Sequence, residues 1–125
     1  MLLNLSLVAL GGAIGSSLRY LFGYALIKAM PMSFPIGVLP VNILGSFLMG
    51  LFVVAAHHKG YTQANLFVMT GLLGGFTTFS AFSLETVTLI ERAQIGQAAL
   101  YVGLSVALSI LGLMAGLAIA RGIWA

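Results

Sequence analysis

The sequence contains very little charge and no cysteine. Only 6% of its 125 residues are charged, five Lys or Arg and two Glu, whereas a soluble domain carries about 25%. Without cysteine the chain can form no disulfide, no thiolate metal site and no cysteine nucleophile. The basic residues stand singly and form no stripe, so the charge pattern does not indicate nucleic-acid binding.

Few side chains are available for catalysis or metal binding. No set of His and Glu residues has catalytic or metal-ligand spacing, and the adjacent His57 and His58 would point to different faces of a helix. We interpret these two histidines as part of a solvated turn. The glycine run at residues 71–75 is not a phosphate-binding loop, because no Lys-Ser/Thr pair follows it. The sequence therefore predicts a protein that is not an enzyme.

Apolar residues dominate the sequence. They make up 61% of it, against about 45–50% in soluble proteins, which predicts an all-α integral membrane protein. No Pro/Ser-rich linker or charge run divides residues 1–125, so we predict a single transmembrane domain. A cleavable signal is not expected, because no basic region precedes the first apolar run. The four predicted spans run from about Leu2 to Ile27, Ile36 to Ala56, Asn65 to Ile90 and Ile95 to Ala120.

The third span carries residues that are unusual at membrane depth. Gly74-Gly75 followed by Thr77-Thr78 predicts a broken helix, because a lipid-buried backbone must satisfy every polar group internally. A break is tolerated only where protein or a watery cavity surrounds it. It presents a helix N-terminus to an anion and free carbonyls to a cation. We therefore predict an ion site in this span.

Aromatic and hydroxyl side chains share one helical face after the predicted break. The spacing i, i+3, i+4 and i+7 is occupied by Phe79, Phe82, Ser83 and Thr86. Phenylalanines at this spacing more often pack against lipid or core, but a lipid-facing surface would not carry the hydroxyls. A phenylalanine edge is positive and a hydroxyl donates hydrogen bonds, so this face can attract an anion without holding it tightly.

Isolated polar residues occur in the other spans. Asn42 can either bond the backbone of another helix or donate to a passing anion, and the sequence leaves both roles open. Arg19 lies about 12 Å of helix from Lys28, which favours a cation in a vestibule over an anchor at the membrane surface. In span 4, three hydroxyls four residues apart form one stripe, namely Tyr101, Ser105 and Ser109.

Two pairs of small residues, Gly11 with Gly15 and Gly112 with Gly116, are spaced to let another helix approach closely.

Positive charge is nearly balanced across the membrane. With four spans, Lys59 and Arg121 fall on the side of the termini, and Lys28 and Arg92 fall on the other side with Arg19 deeper. The positive-inside rule needs an asymmetry, so this balance predicts that the chain inserts both ways and pairs as an antiparallel dimer.

Three motifs resemble those of one known family. Residues 74–85, GGFTTFSAFSLE, resemble the signature of the Fluc (CrcB-type) fluoride channels. Residues 11–20, GGAIGSSLRY, resemble that family's first-helix motif, and Asn42 lies where the family has its pore asparagine. The resemblance extends over all four spans in order, and the long third-span motif is specific.

The resemblance implies a passive channel that exports fluoride and so lowers its cytoplasmic concentration. It implies four helices per subunit with the third one broken, an antiparallel dual-topology homodimer, and two fluoride pores in the bacterial plasma membrane. A structural Na⁺ at the dimer centre would be held by main-chain carbonyls, which correspond here to Gly74 and Thr77. The implied partners are fluoride, a second copy of the chain and the lipid bilayer, with no nucleic acid.

The resemblance also assigns roles to individual residues. The pore phenylalanines correspond to Phe79 and Phe82, with Asn42 as their partner. Ala81 stands where the family often has Thr or Ser, so one hydroxyl of the polar track is missing. The remaining track corresponds to Ser80, Ser83, Glu85, Tyr101, Ser105 and Ser109.

Two other functions are alternatives to a channel. A small proton-coupled exporter of the four-helix multidrug type needs a carboxylate inside the membrane, and Glu85 is the only candidate. A membrane subunit that transports nothing needs no ion path. Ion flux through the purified protein distinguishes a channel from such a subunit, and Glu85→Gln separates a channel from the exporter.

Overall fold

The computed structural model describes residues 1–29, 38–60 and 62–124 of the chain. Residues 30–35, which connect predicted spans 1 and 2, and the first residues of predicted span 2 lie outside this part. Within it, every regular element is helical. The elements are α1 (Leu2–Ala29), α2 (Leu39–Lys59), α3 (Thr62–Asn65), a π-helical segment (Leu66–Leu73), α4 (Gly74–Phe76), α5 (Phe79–Glu91) and α6 (Ile95–Trp124).

Four helical stretches are long and apolar enough to cross a bilayer, which takes about 20 residues. Each overlaps one predicted span, so the prediction of an all-helical protein with four membrane spans is confirmed. The protein is therefore a multi-pass membrane protein. The four stretches are Leu2–Ala29, Leu39–His57, Gln63–Glu91 and Ile95–Ile123.

Helix boundaries follow local sequence signals. Pro40 lies in the first turn of α2, where its missing N–H removes no intrahelical bond. Gly60 ends α2 in the left-handed conformation at φ +72°, and its N–H donates to the Ala56 carbonyl over 2.7 Å. A tight turn of three residues joins α5 to α6, with Ala93 at φ +61°. These short connections make neighbouring spans antiparallel.

Glycines bring α1 against the first half of the third span. A Cβ at Gly15 would overlap the carbonyl of Leu72, and a Cβ at Gly75 would lie 2.8 Å from the carbonyl oxygen of Gly12. Gly11 and Gly15 are both buried. The close approach predicted for this pair is confirmed, because only glycine leaves room for the facing backbone.

A second glycine contact joins α2 to α6. A Cβ at Gly50 would overlap the carbonyl of Leu113, and a Cβ at Gly116 would overlap the carbonyl of Phe47. Gly112 also faces α2, with the Ile43 carbonyl oxygen 3.3 Å from the position of its Cβ. The Gly112 and Gly116 pair therefore packs as predicted, and α2 and α6 form one tight helical pair.

The backbone leaves helical geometry at two residues within the third span. Thr77 has φ −84° and ψ 157°, and Thr78 has φ −151° and ψ 122°. The Thr78 hydroxyl then accepts a hydrogen bond from the Ala81 N–H over 3.2 Å, which is the geometry of a helix N-cap. Thr78 therefore fixes where α5 begins.

Candidate functional site

A groove of about 410 Å³ lies where α2, the extended residues and the start of α5 face α6. We call it the central groove. No charged side chain is among the described residues that line it. The lining residues are Asn42, Gly45, Ser46, Met49, Thr77, Thr78, Phe79, Phe82, Ser105, Val106, Ser109, Ile110 and Leu113.

Asn42 connects α2 to the extended backbone. Its side-chain Nδ2 donates to the Thr78 carbonyl over 3.0 Å, and its Oδ1 accepts from the Thr78 N–H over 2.8 Å. One amide thereby satisfies both backbone groups of a residue that has left the helix. The sequence left two roles open for Asn42, and the structure shows the first of them, a hydrogen bond to the backbone of another helix. An amide carries two donor hydrogens and Thr78 takes one of them.

The two threonines of the extended segment are held differently. The Thr77 hydroxyl donates to the Leu73 carbonyl over 3.0 Å, and the Thr77 N–H donates to the same oxygen over 3.0 Å. The Thr77 methyl packs against α2 at Gly45, where a Cβ would overlap it. The Thr78 hydroxyl lies 3.2 Å from the Ser80 hydroxyl. Both threonines thus have fixed side chains at the edge of the groove.

The two predicted pore phenylalanines meet at the groove. The Phe79 and Phe82 ring centroids are 5.3 Å apart and their planes are inclined by 60°. Phe82 is only 8% exposed and also contacts the Tyr101 ring, with centroids 5.3 Å apart. Phe79 is 77% exposed in the single chain. One ring is therefore anchored in the core, whereas the other projects from the chain.

Two of the three hydroxyls predicted on span 4 line the central groove. Ser105 and Ser109 lie one helical turn apart on α6. Ser105 is only 6% exposed, and its Oγ has no hydrogen-bond partner among the described residues. A buried hydroxyl without a partner is uncommon, because it loses its hydrogen bond to water and gains none in return.

The other residues of the predicted polar track lie outside the lining of the groove. The Tyr101 hydroxyl donates to Glu85 Oε2 over 2.7 Å, and this pair joins α6 to α5 with Tyr101 fully buried. The Ser83 hydroxyl donates to the Phe79 carbonyl over 3.0 Å. Ser80 is exposed beside Thr78. The fold thus brings part of the predicted track to the groove and leaves the rest on or beside α5.

Arg19 and Gly74 lie near the extended segment but do not line the groove. Arg19 Nε donates to the Gly75 carbonyl over 3.2 Å, which links α1 to the last turn before the interruption. Among the described residues around the extended Thr77 and Thr78, none donates a hydrogen bond to the carbonyl oxygen of Gly74 or to that of Thr77. The same part of the chain contains no group of three His, Cys, Asp or Glu side chains able to hold a metal ion.

Sequence reasoning gave no pore or metal role to several residues of the groove, among them Thr78, Ser46 and Met49. Thr78 carries the backbone that Asn42 binds, and Ser46 and Met49 line the α2 wall. A signal for the α2 wall was present, because Asn42, Ser46 and Met49 follow the helical spacing i, i+4 and i+7. The local sequence predicted a helix break at Thr77 and Thr78, but it could not indicate that Thr78 bonds to Asn42, since the two residues lie 36 positions apart.

Comparisons with known proteins identify the family. The family described as CrcB-like protein, Camphor Resistance (CrcB), matches residues 6–117. A protein of Ruegeria sp. named fluoride-specific ion channel FluC is 64% identical over 124 residues, covering 98% of each chain. Its namesake in Agrobacterium fabrum is 48% identical over 125 residues, covering 98% of this chain and 100% of the relative. With the family match over nearly the whole length, the chain belongs to the CrcB-like family.

Proposed function

We propose that this protein is a passive, fluoride-selective anion channel of the bacterial plasma membrane, which exports fluoride and lowers its cytoplasmic concentration. Relatives that match it over nearly their full length carry the name fluoride-specific ion channel. The observation that carries the proposal is the central groove, which gathers Asn42, Phe79, Phe82, Ser105 and Ser109 around one space.

The chemistry of the groove suits a small anion that has to be bound weakly enough to be released again. Ser105 and Ser109 offer hydroxyl donors, and the Phe79 and Phe82 rings offer positive edges. The positive end of the α5 dipole begins at Phe79, on the wall of the groove. Since no lysine or arginine lines the described groove, an anion is stabilised by dipoles alone and is not held by a fixed charge.

We assign the remaining polar residues to the approaches of the pore. These residues lie on α5 and α6 outside the groove lining, namely Ser80, Ser83, Glu85 and the buried Tyr101 that is hydrogen-bonded to Glu85. Arg19 contributes positive charge on the α1 side of the extended segment, where it favours anions in a vestibule. Its Nε bond to Gly75 holds the side chain in that place.

A second, antiparallel copy would complete the pore. Phe79 projects from the single chain with 77% of its surface exposed beside the groove, so a second copy packed on this face would enclose the ring and the groove together. The near balance of positive charge across the membrane permits both orientations. A twofold dimer has two equivalent grooves and hence two pores. In this arrangement the third helix is functionally broken at Thr77 and Thr78, as their extended angles support.

A structural Na⁺ is proposed at the dimer centre. The main-chain carbonyls of Gly74 and Thr77 would hold it, and they fit that role because no hydrogen bond at the interruption uses them. Freed carbonyls at a helix interruption are good ligands for Na⁺. When bound, the ion would neutralise the carbonyl dipoles where two subunits meet. Replacing Na⁺ by a large organic cation is therefore expected to weaken the dimer, as measured by its dissociation in detergent.

The decisive experiment is ion efflux from liposomes that contain the purified protein alone. Liposomes loaded with KF are compared with liposomes loaded with KCl, and valinomycin carries the compensating K⁺. Fast, valinomycin-dependent fluoride efflux with little chloride efflux supports the channel. Absence of efflux from a folded dimer would contradict it, and proton-coupled export through Glu85 would be examined next.

Orientation is tested separately. A cysteine is introduced into the turn at Lys59, since the natural chain has none, and is labelled from one face of the membrane in intact vesicles. Dual insertion predicts that about half of the molecules react. Labelling of all molecules, or of none, from one face would contradict the antiparallel dimer and leave the channel proposal to the flux experiment.

A further inference from the structure

The hydroxyls that line the central groove differ from the other hydroxyls of the protein in their hydrogen bonding. A serine or threonine in a helix commonly donates to the carbonyl one turn earlier in the same helix. Seven described hydroxyls do so, with oxygen–oxygen distances of 2.7 to 3.0 Å. They belong to Ser6, Ser16, Ser17, Thr77, Ser83, Thr86 and Thr88.

Three groove serines make no such bond. Within the described residues, the hydroxyls of Ser46, Ser105 and Ser109 neither donate to their own helix nor pair with another side chain. Among the helical serines and threonines whose side chains the structure describes, one other hydroxyl is of this kind, that of Thr70, which is exposed and does not line the groove. The serines of the groove therefore keep their hydroxyl donors uncommitted within the described residues.

Ser46 faces this space from the opposite wall. It lies on α2, one turn after Asn42, whereas Ser105 and Ser109 lie on α6. Ser105 supplies an independent sign of a ligand, since its Oγ is buried without a hydrogen-bond partner among the described residues, and Ser105 lines the same groove. A ligand that accepts hydrogen bonds in this groove is thus reached by hydroxyls from two helices.

We propose that Ser46 is a further anion-binding residue of the channel, and that its hydroxyl donates, with those of Ser105 and Ser109, to an anion in the central groove. The inference rests on the proposed function, because fluoride is taken as the anion. A small anion needs several donors to replace its hydration shell. Because no charged side chain lines the described groove, each neutral donor carries a large share of that replacement.

The test compares variants with graded donor strength at one position. Fluoride efflux from liposomes is measured over a range of internal fluoride concentrations for the wild type, Ser46→Cys and Ser46→Ala. A thiol is a weak donor and a methyl is none. Loss of a hydrogen bond to a charged group corresponds to about a tenfold change in affinity. We expect the half-saturating fluoride concentration to rise about tenfold in Ser46→Ala, and by an intermediate factor in Ser46→Cys.

Ser17→Ala is the matched control, because the Ser17 hydroxyl is exposed and donates to the Ala13 carbonyl in its own helix. It should leave the half-saturating concentration unchanged. A purely structural role of Ser46 would lower the thermal unfolding midpoint without moving half-saturation, and would overturn the inference. The inference would also be overturned if the half-saturating fluoride concentration of Ser46→Ala stayed within about twofold of the wild-type value. It would likewise be overturned if Ser17→Ala raised that concentration as much as Ser46→Ala does. Wild-type protein without fluoride efflux would overturn the proposed function itself, which is a distinguishable result.

Discussion

Asn42 and Thr78 exchange two hydrogen bonds across 36 residues of sequence, one of 3.0 Å and one of 2.8 Å. The pair does more than satisfy an amide at membrane depth. Thr78 also caps α5 through its hydroxyl, so Asn42 in α2 determines where α5 begins and where its first residue, Phe79, is held. The geometry of the groove thus depends on a contact between two helices that are distant in sequence.

Replacing Asn42 by Asp tests this contact. An aspartate can still accept from the Thr78 N–H, but it cannot donate to the Thr78 carbonyl, and it adds negative charge beside the groove. We expect fluoride efflux to fall by at least about tenfold, because a donor is replaced by a like charge. Asn4→Asp, at the exposed start of α1, is the matched control and should conduct like wild type. Equal efflux from Asn42→Asp and wild type would contradict the assignment.

Variants of the two groove phenylalanines should both lose fluoride efflux but differ in the stability of the fold. Phe79→Ile removes an exposed ring and should cut fluoride efflux about fivefold without lowering the unfolding midpoint, since an edge contact amounts to about 1 kcal/mol. Phe82→Ile removes a buried ring, so it should lose flux and also destabilise the fold by about 1 kcal/mol.

Phe52→Ile, on α2 and outside the groove lining, provides the control for loss of an aromatic ring. It should leave fluoride efflux unchanged. If Phe82→Ile conducted like wild type, the role of the ring edges in attracting fluoride would be wrong.

Glu85→Gln distinguishes a channel from a proton-coupled exporter. Glutamine keeps an oxygen that can accept from the Tyr101 hydroxyl, so the link between α5 and α6 is retained while the exchangeable proton is lost. We expect passive fluoride efflux to persist within about threefold of wild type, and an imposed pH gradient to drive no additional transport. Transport that depends on a proton gradient in the wild type and disappears in Glu85→Gln would support the exporter.

Gly15→Ala should disrupt the packing of α1. Its Cβ would overlap the Leu72 carbonyl, so α1 must move away from the third span, at a cost of roughly 2–3 kcal/mol. Gly103→Ala is the matched control, because no described atom beyond the neighbouring backbone of its own helix lies within 4 Å of its Cβ position. We expect its unfolding midpoint in detergent to be unchanged or slightly raised, since alanine is the better helix former. Equal midpoints for both variants would contradict the close contact.

Several features could be predicted from the residues alone. The spans follow from the length of the apolar runs, and the close helix contacts at Gly15 and Gly116 follow from small residues spaced four apart. The roles of Phe79, Phe82, Ser105 and Asn42 as neighbours in one site were implied by a family resemblance, and the groove indeed brings them together. Their contacts with fluoride and the Na⁺ ligands stay predictions.

The sequence by itself determined the class of protein, the number of spans and the family, because hydropathy and a specific motif are properties of contiguous residues. Only the tertiary structure decided which polar groups meet. It joined Asn42 to Thr78, left the hydroxyl of Ser105 without a partner among the residues that the structure describes, and placed Ser46 in the lining of the groove. The reason is physical, since a hydrogen-bond partner across helices depends on how each helix is rotated and how closely it packs, and those are set by contacts between distant parts of the chain.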